Sequence, residues 1–154
     1  MLVTETMQAK VADFGSVGRL LTEGHVIMGK RTPSRGSTAS YGSDDLTQGV
    51  GTPLYMSLEM LKHAGYDAST DVWSFGVLLW EMAAQAPPDL PLQEGQAGGP
   101  IYSGLMRCLE RGCRLTAGTD WPAVWTALMT RCWQQTPEAR PAFSNIVREL
   151  DGSP

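Results

Sequence analysis

A carboxylate, a phenyl ring and a glycine stand together at Asp13-Phe14-Gly15, closing the β-prone run "QAKVA". Directly after them the chain turns hydroxyl-rich, with "KRTPSRGSTASYGSDD" at its centre. Thr32, Ser34, Ser37, Thr38, Ser40, Tyr41 and Ser43 are possible phosphoacceptors, and Arg31 and Arg35 could pair locally with a phosphate. Taken alone, Asp13 is a turn residue after a strand, and a Ser-rich loop is simply a soluble one. No apolar period runs from Ser16 to Thr52, and a loop that long inside a compact domain is usually functional or disordered. The cysteines, Cys108, Cys113 and Cys132, match no zinc spacing and cannot all pair within one chain. Cys108 and Cys132 fall inside apolar helical patterns, so buried reduced thiols and a reducing compartment fit best.

Elements that could hold these groups follow from periodicity. "LVT" and "QAKVA" flank the polar turn Thr4-Glu5-Thr6 and predict a hairpin. "LYMSLEMLKHAG" predicts a short helix closed by Gly65. The next helix runs from about Thr70, as N-cap, to Ala84. Val72, Phe75, Leu79 and Met82 line one of its faces and Trp73, Val77 and Trp80 another, so it should be enclosed and act as the hub. "APPDLPLQEGQAGGP" reads as an exposed loop. "IYSGLMRCLERG" places Ile101, Leu105 and Leu109 on a stripe that stops at Gly112. "PAVWTALMTRCW" aligns Val124, Leu128 and Cys132 beside Trp125, Met129 and Trp133. In "RPAFSNIVREL", Phe143, Ile146, Val147 and Leu150 form the stripe, with Pro141 in the first turn. The fold class expected is mainly α, entered through a short N-terminal β-hairpin.

The length of 154 residues suits one domain, and the net charge of −4 with scattered basic residues argues against a nucleic-acid surface. "MLVTETMQAK" lacks the pattern of a signal peptide, and the most apolar run, Val72 to Ala84, is too short for a membrane span and contains Glu81.

One series of motifs goes further. Asp13-Phe14-Gly15 is followed by "GTPLYMSLE" from Gly51, "DVWSFGVLLWEM" from Asp71 and "RCWQQTPEARPAF" from Arg131. In this order the series resembles the C-terminal lobe of a protein kinase of the tyrosine-kinase-like branch, across residues 1–150, with 151–154 a tail. "GTPLYMS" is similar to the serine/threonine-specific members. The resemblance implies transfer of the ATP γ-phosphate to protein hydroxyls, a reaction that needs Mg²⁺ and aligned phosphates more than covalent help. Asp13 would be the Mg²⁺ ligand, Phe14 the packing residue that sets the active pose, and Gly15 the backbone swivel. Gly51, Thr52, Pro53, Leu54 and Tyr55 would form the substrate-docking segment, with Thr52 near the substrate hydroxyl. Residues 16–51 would be the activation loop.

Glu59 and Arg140 match a buried structural ion pair of that family. Asp71 matches an aspartate that accepts backbone hydrogen bonds from the catalytic loop, although favourable charge at a helix N-terminus explains it equally well. Leu58 stands where the family carries proline, which should free the backbone there. The 154 residues contain no Gly-rich loop, no V-A-I-K lysine and no H-R-D loop; neither His25 nor His63 is followed by Arg-Asp. "MLVTET", from Met1, resembles the strand after the catalytic-loop asparagine. An N-terminally truncated kinase domain is therefore expected, inactive alone and with its catalytic base upstream of Met1. Part of the Trp73/Val77/Trp80 surface should then lie open, leaving the chain poorly soluble and ready to bind the rest of the domain or another protein. The alternative expectation is a non-catalytic, kinase-derived scaffold. The location expected is cytoplasmic, or the cytosolic side of a membrane if the parent is a receptor.

Overall fold

A computed structural model describes residues 2–6, 8–11, 52–62, 64, 67–90 and 101–152. At the N-terminus β1 (Leu2–Val3) and β2 (Ala9–Lys10) pair antiparallel, Leu2 opposite Lys10 and Val3 opposite Ala9. Thr4 ties the connection together: its N–H donates to Gln8 O at 2.9 Å, and its Oγ1 accepts from Gln8 N at 3.0 Å. Lys10 and Val11 are exposed.

The remaining elements are helical. A 3-10 helix at Thr52–Tyr55 precedes α1 (Leu58–Leu61), α2 (Ser69–Ala84), α3 (Ile101–Glu110), α4 (Ala123–Cys132), a second 3-10 helix at Pro137–Ala139, and α5 (Phe143–Leu150). The single helix expected over "LYMSLEMLKHAG" is therefore two short pieces. Between them Ser57 is fully buried and extended, with φ −72° and ψ 163°, so helical hydrogen bonding breaks there.

α2 is the hub. Its buried Val72, Trp73, Val77 and Leu79 meet Leu128, Met129, Cys132 and Trp133 of the α4 region in one core with Leu105, Leu109, Leu115 and Ile146. Thr70 is not its N-cap. The helix begins at Ser69, whose N–H donates to Asp67 Oδ1 at 2.8 Å, so Asp67 satisfies that first-turn donor. Thr70 Oγ1 instead turns to Glu59 Oε1 at 3.3 Å. Gln85 ends the helix in the left-handed region, φ 51°, its N–H bonding Glu81 O at 2.9 Å.

The expected open surface at Trp73, Val77 and Trp80 is corrected by this packing. Trp73 and Val77 are 2% and 3% exposed. Trp80 stands edge-on to Trp121 at 6.0 Å, and its Nε1 donates to Thr116 O at 2.8 Å. The segment after α3 folds back over α2 and covers that face. Exposed apolar groups lie elsewhere. Met82 on α2, Val124 at the start of α4, and Phe143, Val147 and Leu150 on α5 all face solvent, leaving Ile146 as the buried residue of the α5 stripe. Pro141 precedes the N-cap Ala142 rather than occupying the first turn.

Candidate functional site

The expected docking segment is fastened to the hub at two heights. Pro53 is fully buried, while Leu54 and Tyr55 are half-buried against the core. Ser74 Oγ donates to Tyr55 O at 2.8 Å, and the Tyr55 hydroxyl donates to Glu81 Oε2 at 2.6 Å. Ser74 and Glu81 are seven residues apart, two turns of α2, so they share one face of the helix. Burial, then the hydrogen bond and negative charge of Glu81, push the Tyr55 phenol up to about 12. Both disfavour the phenolate, so Tyr55 serves here as a donor and not as an acid near neutrality.

At the foot of this segment a charged cluster joins three parts of the chain. Arg140 Nη1 lies 2.6 Å from Glu59 Oε1, and Nη2 lies 3.1 Å from Oε2, a two-pronged pair with the arginine side chain fully buried. Two further donors of the arginine are used: Nε bonds Gln134 O at 2.9 Å and Nη1 bonds Ser69 O at 3.1 Å. One guanidinium thereby ties α1, the start of α2 and the chain after α4. Burial pushes the Glu59 carboxyl up, but hydrogen bonds from Arg140 and the Glu59 backbone, and the Arg140 charge, outweigh it and hold the pKa below its ordinary value. The neighbouring Ser57 Oγ is buried and makes no hydrogen bond among the described residues.

Trp73 forms the floor of the cluster. The Arg140 guanidinium lies 5.0 Å from its ring centroid and that of Arg114 lies 4.7 Å away. Arg114 in turn bonds Trp133 O at 2.9 Å, Cys113 O at 2.7 Å and Gln135 Oε1 at 2.5 Å. Burial and the neighbouring positive charge of Arg140 lower the Arg114 pKa. Sequence reasoning missed Arg114, Thr70, Ser74 and Glu81. Nothing in the sequence marks a serine or glutamate inside an apolar helix as the partner of a tyrosine upstream. For Arg114 the one signal was its place just after the helix-ending Gly112.

Leu58 occupies the first position of α1, where a proline would also fit, and its side chain packs against the core. The backbone enters the helix regardless, with Lys62 N bonding Leu58 O at 3.0 Å. Asp71 sits exposed in the first turn of α2, and partial loss of water at its carboxyl raises its pKa. The structure thus brings together Tyr55, Glu59, Arg140 and the start of α2. Met1 lies outside the described residues. So do Asp13, Phe14, Gly15 and Gly51, and the hydroxyl-bearing Thr32, Ser34, Ser37, Thr38, Ser40, Tyr41 and Ser43. Among the described residues no three His, Cys, Asp or Glu side chains gather to hold a metal, and no helix is long and apolar enough to cross a membrane.

Comparison with known proteins decides the family. The family model for protein tyrosine and serine/threonine kinases matches residues 1–150. The chain belongs to this kinase family. Its mainly helical architecture is that of the kinase C-terminal lobe, with the hairpin at its N-terminal side. Relatives are of both specificities. A Dictyostelium discoideum protein named "Probable LIM domain-containing serine/threonine-protein kinase" is 32% identical over 150 residues, 97% of this chain and 13% of that protein. The megakaryocyte-associated tyrosine-protein kinase of Rattus norvegicus is 31% identical over 153 residues, 97% of this chain and 26% of its own length. The tyrosine-protein kinase receptor Tie-1 of Danio rerio is 31% identical over 158 residues, 98% of this chain and 67% of that sequence. This kinase chain thus spans a small part of most of these relatives.

Proposed function

We propose that these residues form the helical, substrate-facing part of a kinase that transfers the γ-phosphate of ATP to protein hydroxyls, those of serine and threonine in particular. The observation that carries this reading is the ordered series Asp13-Phe14-Gly15, Gly51–Tyr55, Glu59, Asp71 and Arg140 inside a family match over residues 1–150. Asp13 supplies the hard carboxylate oxygen that Mg²⁺ takes, and the bound ion would neutralise the ATP phosphates. Phe14 and Gly15 set its pose. Thr52 positions the acceptor hydroxyl, while Pro53, Leu54 and Tyr55 form the shelf on which a protein substrate lies, held rigid by Ser74 and Glu81. The hydroxyls of residues 32–43 are the regulatory phosphoacceptors. Residues 1–150 act as part of a kinase domain and 151–154 as a tail, on the cytoplasmic side of the cell.

The 154 residues contain no Gly-rich loop, strand lysine or H-R-D loop. As a polypeptide by itself the chain is therefore expected to transfer no phosphate. Mixing it with labelled ATP, Mg²⁺ and a protein substrate should give no labelled product. Joined ahead of Met1 to a polypeptide that supplies those three motifs, it should label serine and threonine, and Asp13→Ala should abolish the signal. Transfer by the chain alone that Asp13→Ala abolishes would overturn the inactive reading. A folded but silent fusion would overturn the enzymatic one. That second outcome leaves a non-catalytic interaction module, a reading favoured by the solvent-facing Phe143, Val147 and Leu150 on α5.

A further inference from the structure

The end of α3 brings two thiols together by backbone geometry. Gly112 adopts φ 82°, in the left-handed region, and its N–H bonds Leu109 O at 3.0 Å. The next N–H, that of Cys113, reaches back to Cys108 O at 2.9 Å. This pair of crossed hydrogen bonds is the Schellman ending of a helix, in which the residue after the left-handed position packs its side chain on the one five places earlier. In most helices that contact is between two apolar side chains. Here both positions are cysteine, so the helix ending sets Cys108 and Cys113 side by side. Neither is in a disulfide in this structure, and they differ in access: Cys108 is buried and Cys113 half-exposed.

We propose that Cys108 and Cys113 are a peroxide-sensitive pair that closes to a reversible disulfide and locks the C-terminal turn of α3. The more accessible Cys113 reacts first. Its thiolate sulfur attacks one oxygen of hydrogen peroxide, the O–O bond breaks, and the departing hydroxide takes up a proton as water, leaving a sulfenic acid. The Cys108 sulfur then attacks the Cys113 sulfur as its own proton leaves, and hydroxide departs as a second water. Two thiols and one peroxide thus become one disulfide and two waters, and a dithiol reductant reverses the change. Burial, and then the neighbouring Cys113, push Cys108 up to about 11, which keeps it a thiol and leaves the first attack on peroxide to the more accessible Cys113. The guanidiniums of Arg111 and Arg114 oppose this rise. The lock has a place to act, because Arg114 follows Cys113 directly and spans to Trp133 O, Gln135 and the Trp73 ring.

The test treats the intact 154-residue chain with hydrogen peroxide, alkylates remaining thiols and digests with trypsin. Cleavage after Arg107, Arg111 and Arg114 places the two cysteines on separate peptides, Cys108–Arg111 and Gly112–Arg114. A linked pair of these peptides should appear, two hydrogens lighter than the separate thiols, and vanish with dithiothreitol. Cys132→Ser should leave it unchanged and Cys113→Ser should remove it. Because the crossed backbone bonds of the helix ending hold the two residues side by side, linkage should form about tenfold or more faster in the native chain than in concentrated guanidinium. Gly112→Ala, which strains the left-handed turn while keeping both thiols, should slow it, and Gly112→Asn should restore much of the rate. Oxidation of Cys113 to sulfinic acid while Cys108 stays alkylatable, or linkage mainly through Cys132, overturns the proposal. So does a linkage rate equal in native and denatured chain.

Discussion

A Cβ built on Gly76 of α2 would lie 2.7 Å from the Cβ of Cys132 of α4. That is inside the separation real side chains keep, and the opposing atom is fixed directly to the α4 backbone, so it cannot rotate away. Gly76 is therefore the point at which the two principal helices touch, and the buried Leu128, Met129 and Trp133 take their places around it.

Gly76→Ala should consequently destabilise the chain. Alanine improves helix propensity by about 1 kcal/mol. Overpacking at a contact that must separate two helices costs about 1–3 kcal/mol. The balance is a loss, read as a lower denaturant midpoint. A midpoint that stays or rises would show that the helices do not cross this closely.

The pair of Arg140 and Glu59 makes a second expectation. Removing one partner leaves the other buried without its countercharge, so Arg140→Met or Glu59→Leu alone should each cost about 3–5 kcal/mol. The double substitution should cost clearly less than the two single losses added together, since neither charge is stranded. Denaturant unfolding of the four proteins measures the coupling, and strict additivity would mean that the pair contributes nothing as a pair.

The same carboxylate gives a pH dependence. The Glu59 pKa is held below its ordinary value in the folded chain. Its stabilising contribution is present above the unfolded-state value of about 4.3 and is lost as pH falls through the lower folded one. Glu59→Gln should therefore be less stable than the parent near neutrality, and the gap should narrow in acid. Midpoints measured across that range decide it, and a gap that widens in acid would contradict the sign.

How much of this could be read from residues alone depends on where each residue finds its partner. Gly112 ended α3 legibly, because only its own backbone conformation mattered. The hub helix was equally legible, since an unbroken apolar run must be enclosed. Thr70 was misread as a cap because its hydroxyl is used by Glu59, a residue that reaches it only once α1 has folded back. The break at Ser57 was hidden for the same reason, as propensity favours continuing through it while burial dictates an extended residue. On α5 the period correctly placed Phe143, Ile146, Val147 and Leu150 on one stripe, but periodicity does not say whether another element covers it. Of the candidate site, the two charges with matching motif positions were legible, whereas Arg114 and the Ser74 and Glu81 anchors come from tertiary geometry alone.

Tyr55 offers a readout at the opposite end of the pH scale. Its hydroxyl is bound to Glu81 at 2.6 Å, and its pKa is raised to about 12 by burial and that carboxylate. A raised folded-state value means that the contribution is fully present below the unfolded value of about 10 and fades as pH climbs through the folded one. Subtracting the tyrosinate absorbance titration of Tyr55→Phe from that of the parent should isolate one transition close to 12. The same substitution removes a hydrogen bond to a charged acceptor, a loss of about 1.5 kcal/mol near neutrality. It should also free the 3-10 helix at Thr52–Tyr55 from the lower half of α2, leaving Ser74 as its side-chain tether on that helix. Faster amide exchange at Met56, whose N–H bonds Pro53 O at 3.0 Å, reports that loosening directly. A difference titration centred near the ordinary tyrosine value, with exchange at Met56 unchanged, would mean that Glu81 does not hold the docking segment.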